Sequence, residues 1–287
     1  MRRLRTRYLL IITFISLLVF LFSARYLIIQ YSTGNRTAEE GSVDVTKDED
    51  KKLSLNNNYQ NAVAAYKRGD FKASIDELHI ETTRDTNHAQ AYFLLGYIYE
   101  TMEFPEGKYY SKMIDNYEKY IALKPTGKRE RYVKLRVAQY YVQNGLKQQD
   151  IILLNKAEKY LLDLNQLDGS VRMALGAIYL NKENYDKAIM EFEKSVNLPP
   201  AEIKLKYNSL GLAYIKKGLY AKAQNYLEIA VKIDPKDKYA HNNLGFVYAQ
   251  QGELEVAKTH FVKALELDSS YKNAQKNLQW VEKELSK

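Results

Sequence analysis

Two stretches of this chain repeat each other at a fixed offset. Tyr207 to Pro235 reads YNSLGLAYIKKGLYAKAQNYLEIAVKIDP, and His241 to Ser269 reads HNNLGFVYAQQGELEVAKTHFVKALELDS. Gly211 and Gly245 mark the same point in each, 34 residues apart. A period in this range predicts a stacked array of short units, since one such unit cannot bury its apolar face alone. It also directs the search for function toward extended binding surfaces rather than a catalytic constellation.

Each unit reads as two helices. In the second stretch Leu244, Val247 and Tyr248 share one helical stripe, and Gln251-Gly252-Glu253 breaks it. A second stripe runs through Ala257, Phe261, Ala264 and Leu265. The small residues Gly245 and Ala257 let the two backbones approach, with Tyr248 and Phe261 filling the space beside them. The same order recurs as Tyr207, Leu210-Gly211, Tyr214, Ala223, Leu227, Ala230 and Pro235. An earlier copy has Leu175-Gly176, Tyr179, Tyr185, Ala188, Phe192 and Pro200, with Arg172 and Ser195 as departures. Further back stand Tyr92, Leu95-Gly96, Tyr99, Tyr117, Tyr120 and Pro125. Weaker copies centre on Ala138 and Ala62.

This pattern resembles the tetratricopeptide repeat. The resemblance implies an all-α solenoid, a right-handed superhelix of helix pairs. Six repeats are expected, at 55–88, 89–130, 131–168, 169–203, 204–237 and 238–271, with a capping helix over 272–287. The longer spacings are expected to sit in inter-helix loops near Met102–Lys108 and Gln148–Asn155, where insertion is tolerated. The resemblance also implies a concave groove lined by the first helix of each repeat. By position its lining is Phe93, Tyr97, Leu135, Gln139, Met173, Asn208, Leu212, Ile215, Asn242 and Phe246. Such a lining is apolar with amides, and suits an amphipathic helix or extended apolar segment of a partner protein. The competing expectation is that individual members pack on the next repeat. Asn208 and Asn242, recurring on one face, are candidates to hydrogen-bond a ligand backbone. Carboxylate-clamp versions of the fold carry Lys after the aromatic slot and Asn after the Gly. Here those pairs include Phe93/Tyr97, Asn208/Leu212 and Asn242/Phe246, so a clamp for chaperone tails is not expected.

Ahead of the repeats, residues 1–7 form a basic tail, and residues 8–29 carry an apolar run (YLLIITFISLLVFLF and beyond). That is about the ~20 residues that span a bilayer. A single transmembrane anchor is therefore expected, so the lipid bilayer is one partner. Arg2, Arg3, Arg5 and Arg7 precede it, which places the N-terminus in the cytoplasm and the repeats across the membrane. The resulting location is an inner (cytoplasmic) membrane, with the repeats periplasmic or extracellular. Cleavage after Ala24 is disfavoured because Phe22 fills a slot that wants a small residue. Residues 30–54 read as a flexible linker holding an N-glycosylation-type triplet at Asn35.

The net charge of +8 resides largely in that N-terminus. Without five arginines (2, 3, 5, 7 and 25) the chain has 38 basic and 35 acidic residues, which gives nucleic-acid binding little support. There are no cysteines, which removes thiolate metal sites and thiol catalysis. The histidines, His79, His88, His241 and His260, show no metal-ligand spacing, and no phosphate loop or nucleophile elbow occurs. The expectation is a non-enzymatic scaffold without cofactor, metal or small-molecule substrate, working in bacterial envelope assembly, secretion or division. The alternative is a mitochondrial outer-membrane import receptor with cytosolic repeats.

Overall fold

The computed structural model describes residues 57–102, 108–164, 168–199 and 203–287. The apolar run 8–29, the linker and Asn35 lie outside the described residues. Among the described residues no helix is long and apolar enough to cross a membrane. These residues form thirteen helices and no strand. In order they are α1 (Asn57–Lys67), α2 (Phe71–Arg84), α3 (Ala89–Met102), α4 (Tyr110–Ala122), α5 (Lys128–Gln148), α6 (Ile151–Leu162), α7 (Gly169–Asn181), α8 (Tyr185–Ser195), α9 (Ile203–Lys217), α10 (Tyr220–Ile233), α11 (Lys238–Gln251), α12 (Leu254–Leu267) and α13 (Lys272–Leu285). The chain divides into two compact units with their boundary inside α5: one ends at Tyr141, the other begins at Val142.

The helix ends follow from local chemistry. Asp70, Asp150, Asp168, Asn184 and Asp237 each occupy an N-cap and accept a backbone N–H of the first turn, Asp150 and Asp237 at 2.8 Å. This satisfies donors that the helix itself cannot. The turn between paired helices needs a left-handed residue. Gly218 (φ +79°) and Gly252 (φ +87°) supply it without a Cβ penalty. The next N–H then reaches back to the signature tyrosine: Leu219 N to Tyr214 O and Glu253 N to Tyr248 O, both 2.9 Å. In the α7–α8 turn Glu183 takes this conformation (φ +59°), and Gln149 does so between α5 and α6 (φ +56°).

Within pairs, the small-residue slot does the steric work expected of it. A Cβ built on Gly96 would lie 2.4 Å from the Tyr117 ring, on Gly176 2.4 Å from Phe192, on Gly211 2.4 Å from Leu227, and on Gly245 2.9 Å from Phe261. All four opposing side chains are fully buried. The third slot, Ala138, is buried as well. One loop expectation is corrected. The extra residues near 148–155 do not form a loop, because α5 ends at Gln148 and α6 begins at Ile151. They lengthen α5 to 21 residues instead. Its run KRERYVKLRVAQYYVQNGLKQ holds strong helix formers and no interior Pro or left-handed Gly.

The pairs are tied to one another by a recurring polar joint. The signature tyrosine of a first helix donates its hydroxyl to a glutamate on the second helix of the preceding pair. In the first unit this is Tyr141 to Glu118 at 2.8 Å. In the second unit it is Tyr179 to Glu158 at 2.7 Å, Tyr214 to Glu193 at 2.8 Å and Tyr248 to Glu228 at 3.0 Å. Burial and the adjacent carboxylate push the Tyr179 hydroxyl up to about 12, and the same two causes raise Tyr214. A second tie lies within a repeat: Lys204 to Asp234 at 2.9 Å, matched by Lys238 to Asp268.

Candidate protein-binding surface

The ten residues expected to line a groove sit on the first helices of their pairs: α3, α5, α7, α9 and α11. In the first unit Phe93 is buried while Tyr97, Leu135 and Gln139 are partly exposed. In the second unit Met173, Asn208, Leu212, Ile215 and Asn242 are buried, and Phe246 is partly exposed. The two groups differ in chemistry.

In the first unit the partly exposed positions belong to an aromatic row. Tyr66 on α1 meets Tyr97 on α3 edge-to-face at 6.3 Å between centroids, and Tyr97 meets Tyr132 on α5 at 6.4 Å. Phe93 packs beneath, 6.1 Å from Tyr97. The Arg129 guanidinium lies 5.1 Å from the Phe93 ring centre. At the Tyr132 end of the row is Glu100, which accepts hydrogen bonds from the buried Tyr117 (2.6 Å) and from Tyr132 (2.8 Å) and pairs with Arg136 at 2.5 Å. Arg136 in turn donates to Gln139 at 3.0 Å. Burial first, then the Glu100 charge, raises the Tyr117 and Tyr132 hydroxyls above the ordinary tyrosine range. Both therefore stay protonated donors at neutral pH. The result is a row of tyrosines held at one end by a hydrogen-bonded ion pair.

In the second unit the amides serve the stack. Asn243 Nδ2 donates to Asn208 Oδ1 and Asn277 Nδ2 donates to Asn242 Oδ1, both at 3.0 Å. An asparagine ladder thus runs across α9, α11 and α13. Met173 Sδ accepts from the Ser195 hydroxyl of α8 at 3.2 Å. Asn208 and Asn242, candidates for a ligand backbone, have their carbonyls engaged by the following helix.

Tyr66, Tyr132 and Arg136 were not among the expected lining, nor were Asn243 and Asn277. A signal existed for the asparagines: each stands 35 residues beyond its partner, one repeat further on. His241 and His260, which the sequence leaves without ligand spacing, meet in space. Their Nδ1 atoms are 3.1 Å apart, because α11 and α12 fold back antiparallel around Gly252. Glu81, Asp85 and His88 also gather within 4.8 Å of one another. There the Glu81 carboxylate already bonds His88 Nδ1 (2.7 Å) and Arg84 (3.0 Å), which makes the group a tie between α2 and α3.

Family profiles described as "TPR repeat" and "Tetratricopeptide repeat" match residues 211–252 for the first, and 169–202 and 238–271 for the second. The chain carries tetratricopeptide repeats. A curated relative, the tetratricopeptide repeat domain-containing protein PYG7, chloroplastic, of Arabidopsis thaliana, is 39% identical over 67 residues. That match takes in 23% of this chain and 22% of the relative, so the chain spans about a fifth of it. Two solved structures share the fold. The Cut9–Hcn1 hetero-tetramer of APC/C has a TM-score of 0.51 at 18% identity, covering 77% of this chain and 41% of that one. YrrB, titled a TPR protein with an unusual peptide-binding site, also has a TM-score of 0.51, at 16% identity, covering 69% and 95%.

Proposed function

We propose that this chain is a scaffold that holds a partner polypeptide, an amphipathic helix or extended apolar segment, against the first-helix faces of its tetratricopeptide repeats. The observation that carries the reading is the partly exposed row Tyr66, Tyr97 and Tyr132, which ends where Tyr132 bonds Glu100 of the Glu100–Arg136 pair. Tyrosine and arginine are the residue types in which binding energy concentrates, because they bury large area with few rotors and keep a polar end. The row is also held in place by its own hydrogen bonds, so little ordering is lost on binding. YrrB, described as having a peptide-binding site, is linked by fold alone. The apolar run 8–29 and its preceding arginines support a tether to a bilayer, with the repeats on the far side. Envelope assembly, secretion or division is the setting we assign to such a scaffold.

The test places a photo-crosslinking amino acid at position 97 in one full-length chain and at position 80 in another. Ile80 is exposed, on α2. Discrete crosslinked partners at 97, absent at 80 and lost in Tyr132→Ala, are expected. Identical products from both positions would refute a site on this row. Protease treatment of spheroplasts, with a tag after Lys287, reads the topology separately. A tag that survives until lysis would overturn the far-side placement.

A further inference from the structure

We infer that His241 and His260 form a site for a single divalent late-transition-metal ion such as Zn2+, Ni2+ or Cu2+. Their Nδ1 atoms face each other at 3.1 Å. With metal–nitrogen distances of about 2.05 Å, that separation subtends roughly 98° at a shared ion. This lies between square-planar and tetrahedral angles, the geometries that imidazole-preferring ions adopt.

The surroundings prepare the pair. His241 Nε2 is 3.1 Å from the Pro235 carbonyl. A carbonyl only accepts, so that nitrogen carries a proton, which leaves Nδ1 as the His241 nitrogen that can offer a lone pair toward His260. Metal-bound histidines are held in this way, with the distal N–H fixed by a carbonyl. His260 stacks on Tyr248 with centroids 5.5 Å apart and planes 14° from parallel, which fixes its ring. At rest the two rings are joined by one N–H···N hydrogen bond; when an ion enters, the bridging proton leaves Nδ1 and His260 Nε2 takes up a proton from solvent, so both rings bind as neutral imidazoles through Nδ1.

The pair meets solvent on the His260 side: His260 is partly buried, while His241 is only 7% exposed. Both residues border an open cleft of about 560 Å3 with Glu255, Lys258, Lys263 and Glu266 among its walls. The two lysines are matched by carboxylates, Lys258 with Glu282 at 3.5 Å and Lys263 with Glu266 at 2.9 Å, and Glu255 adds negative charge. Water fills the remaining coordination positions from the cleft.

The experiment titrates untagged full-length chain with ZnCl2 by calorimetry at pH 7.5, alongside His260→Gln and His79→Gln. One saturable micromolar site is expected, weakened by at least about tenfold in H260Q and unchanged in H79Q. In parallel, Cu2+ is expected to quench Trp280, the only tryptophan, which packs with Tyr248 against the cluster of Ala249, Ala257, Phe261 and Val281. His260 is only partly buried, so H260Q is expected to keep the wild-type melting midpoint, and a circular-dichroism melt confirms its fold. No saturable binding by wild type, or equal affinity in H260Q, overturns the site.

Discussion

Replacing Gly176 with alanine is a sharp test of the packing argument, because two opposing effects have known sizes. Alanine is favoured over glycine in a helix interior by about 1 kcal/mol. Against this, the new Cβ would sit 2.4 Å from Phe192 Cε1 and 2.5 Å from Cδ1. Carbon atoms settle at about 3.5–4.0 Å, so the ring must retreat by roughly 1 Å or more. Phe192 is 1% exposed and has nowhere to go. Overpacking of this kind costs about 1–3 kcal/mol, and a forced shift of a fully buried ring belongs at the upper end. The net expectation for Gly176→Ala is a loss of about 2 kcal/mol. At Gly245 the same methyl meets Phe261 at 2.9 Å and the Ala257 carbonyl at 3.1 Å. By the same contact distance Phe261 must retreat by roughly 0.6 Å, about half the shift at Gly176, so the overpacking belongs at the lower end and the propensity gain roughly cancels it. Urea unfolding of the full-length chain, followed by circular dichroism, should therefore separate the two variants by about 2 kcal/mol. A double-mutant cycle with Phe192→Ala adds a second reading. Removing the ring removes the clash, so the coupling should exceed about 1 kcal/mol. The reasoning is refuted if Gly176→Ala is as stable as wild type, or if the cycle is additive.

Further outcomes follow from the ties between helices. Asn243→Ala leaves the buried Asn208 carbonyl without the donor it now has, which should cost about 1–3 kcal/mol in the urea midpoint. Glu183→Gly should raise the melting midpoint slightly. It relieves a left-handed side chain worth about 1–2 kcal/mol while adding about 0.5–1 kcal/mol of glycine entropy. Asp268, held down to about 2 by hydrogen bonds from Lys238 and Ser270, titrates below its ordinary value of 3.8. Its contribution is present above pH 4 and fades as pH falls toward 2. Asp268→Asn should thus lower the melting midpoint at pH 7 by a small amount, since the pair is exposed, and by less at pH 3.

The helix-pair architecture was legible because its determinants are local and repeated. Gly211 and Gly245 fix close approach, and Gly218 and Gly252 fix the turn, in phase with the apolar stripes. The α5 reading failed although Gly145 stands at the phase of Gly218 and Gly252: in α5 that glycine stays helical, where a Cβ would meet Leu154, and the four residues added between Ala138 and Gly176 (38 against 34) extend the helix. The candidate surface was read only in part. Repeat phase placed Tyr97 on the first helix of its pair, yet it gave no way to see that Tyr66 and Tyr132 on neighbouring repeats would meet its ring. It likewise assigned Asn208 and Asn242 to one face. Whether a face meets a ligand or the next helix depends on how successive pairs are offset, and no single repeat encodes that offset.

The tyrosine–glutamate joints have a consequence for how such an array can grow. In the repeats α5–α6, α7–α8 and α9–α10 the hydroxyl donor rides at the front and the carboxylate acceptor at the back. Tandem duplication of any of these three therefore places an acceptor directly ahead of a donor at the new seam. The added copy arrives with a working junction on both sides, and lengthening the stack requires no compensating change elsewhere in the gene.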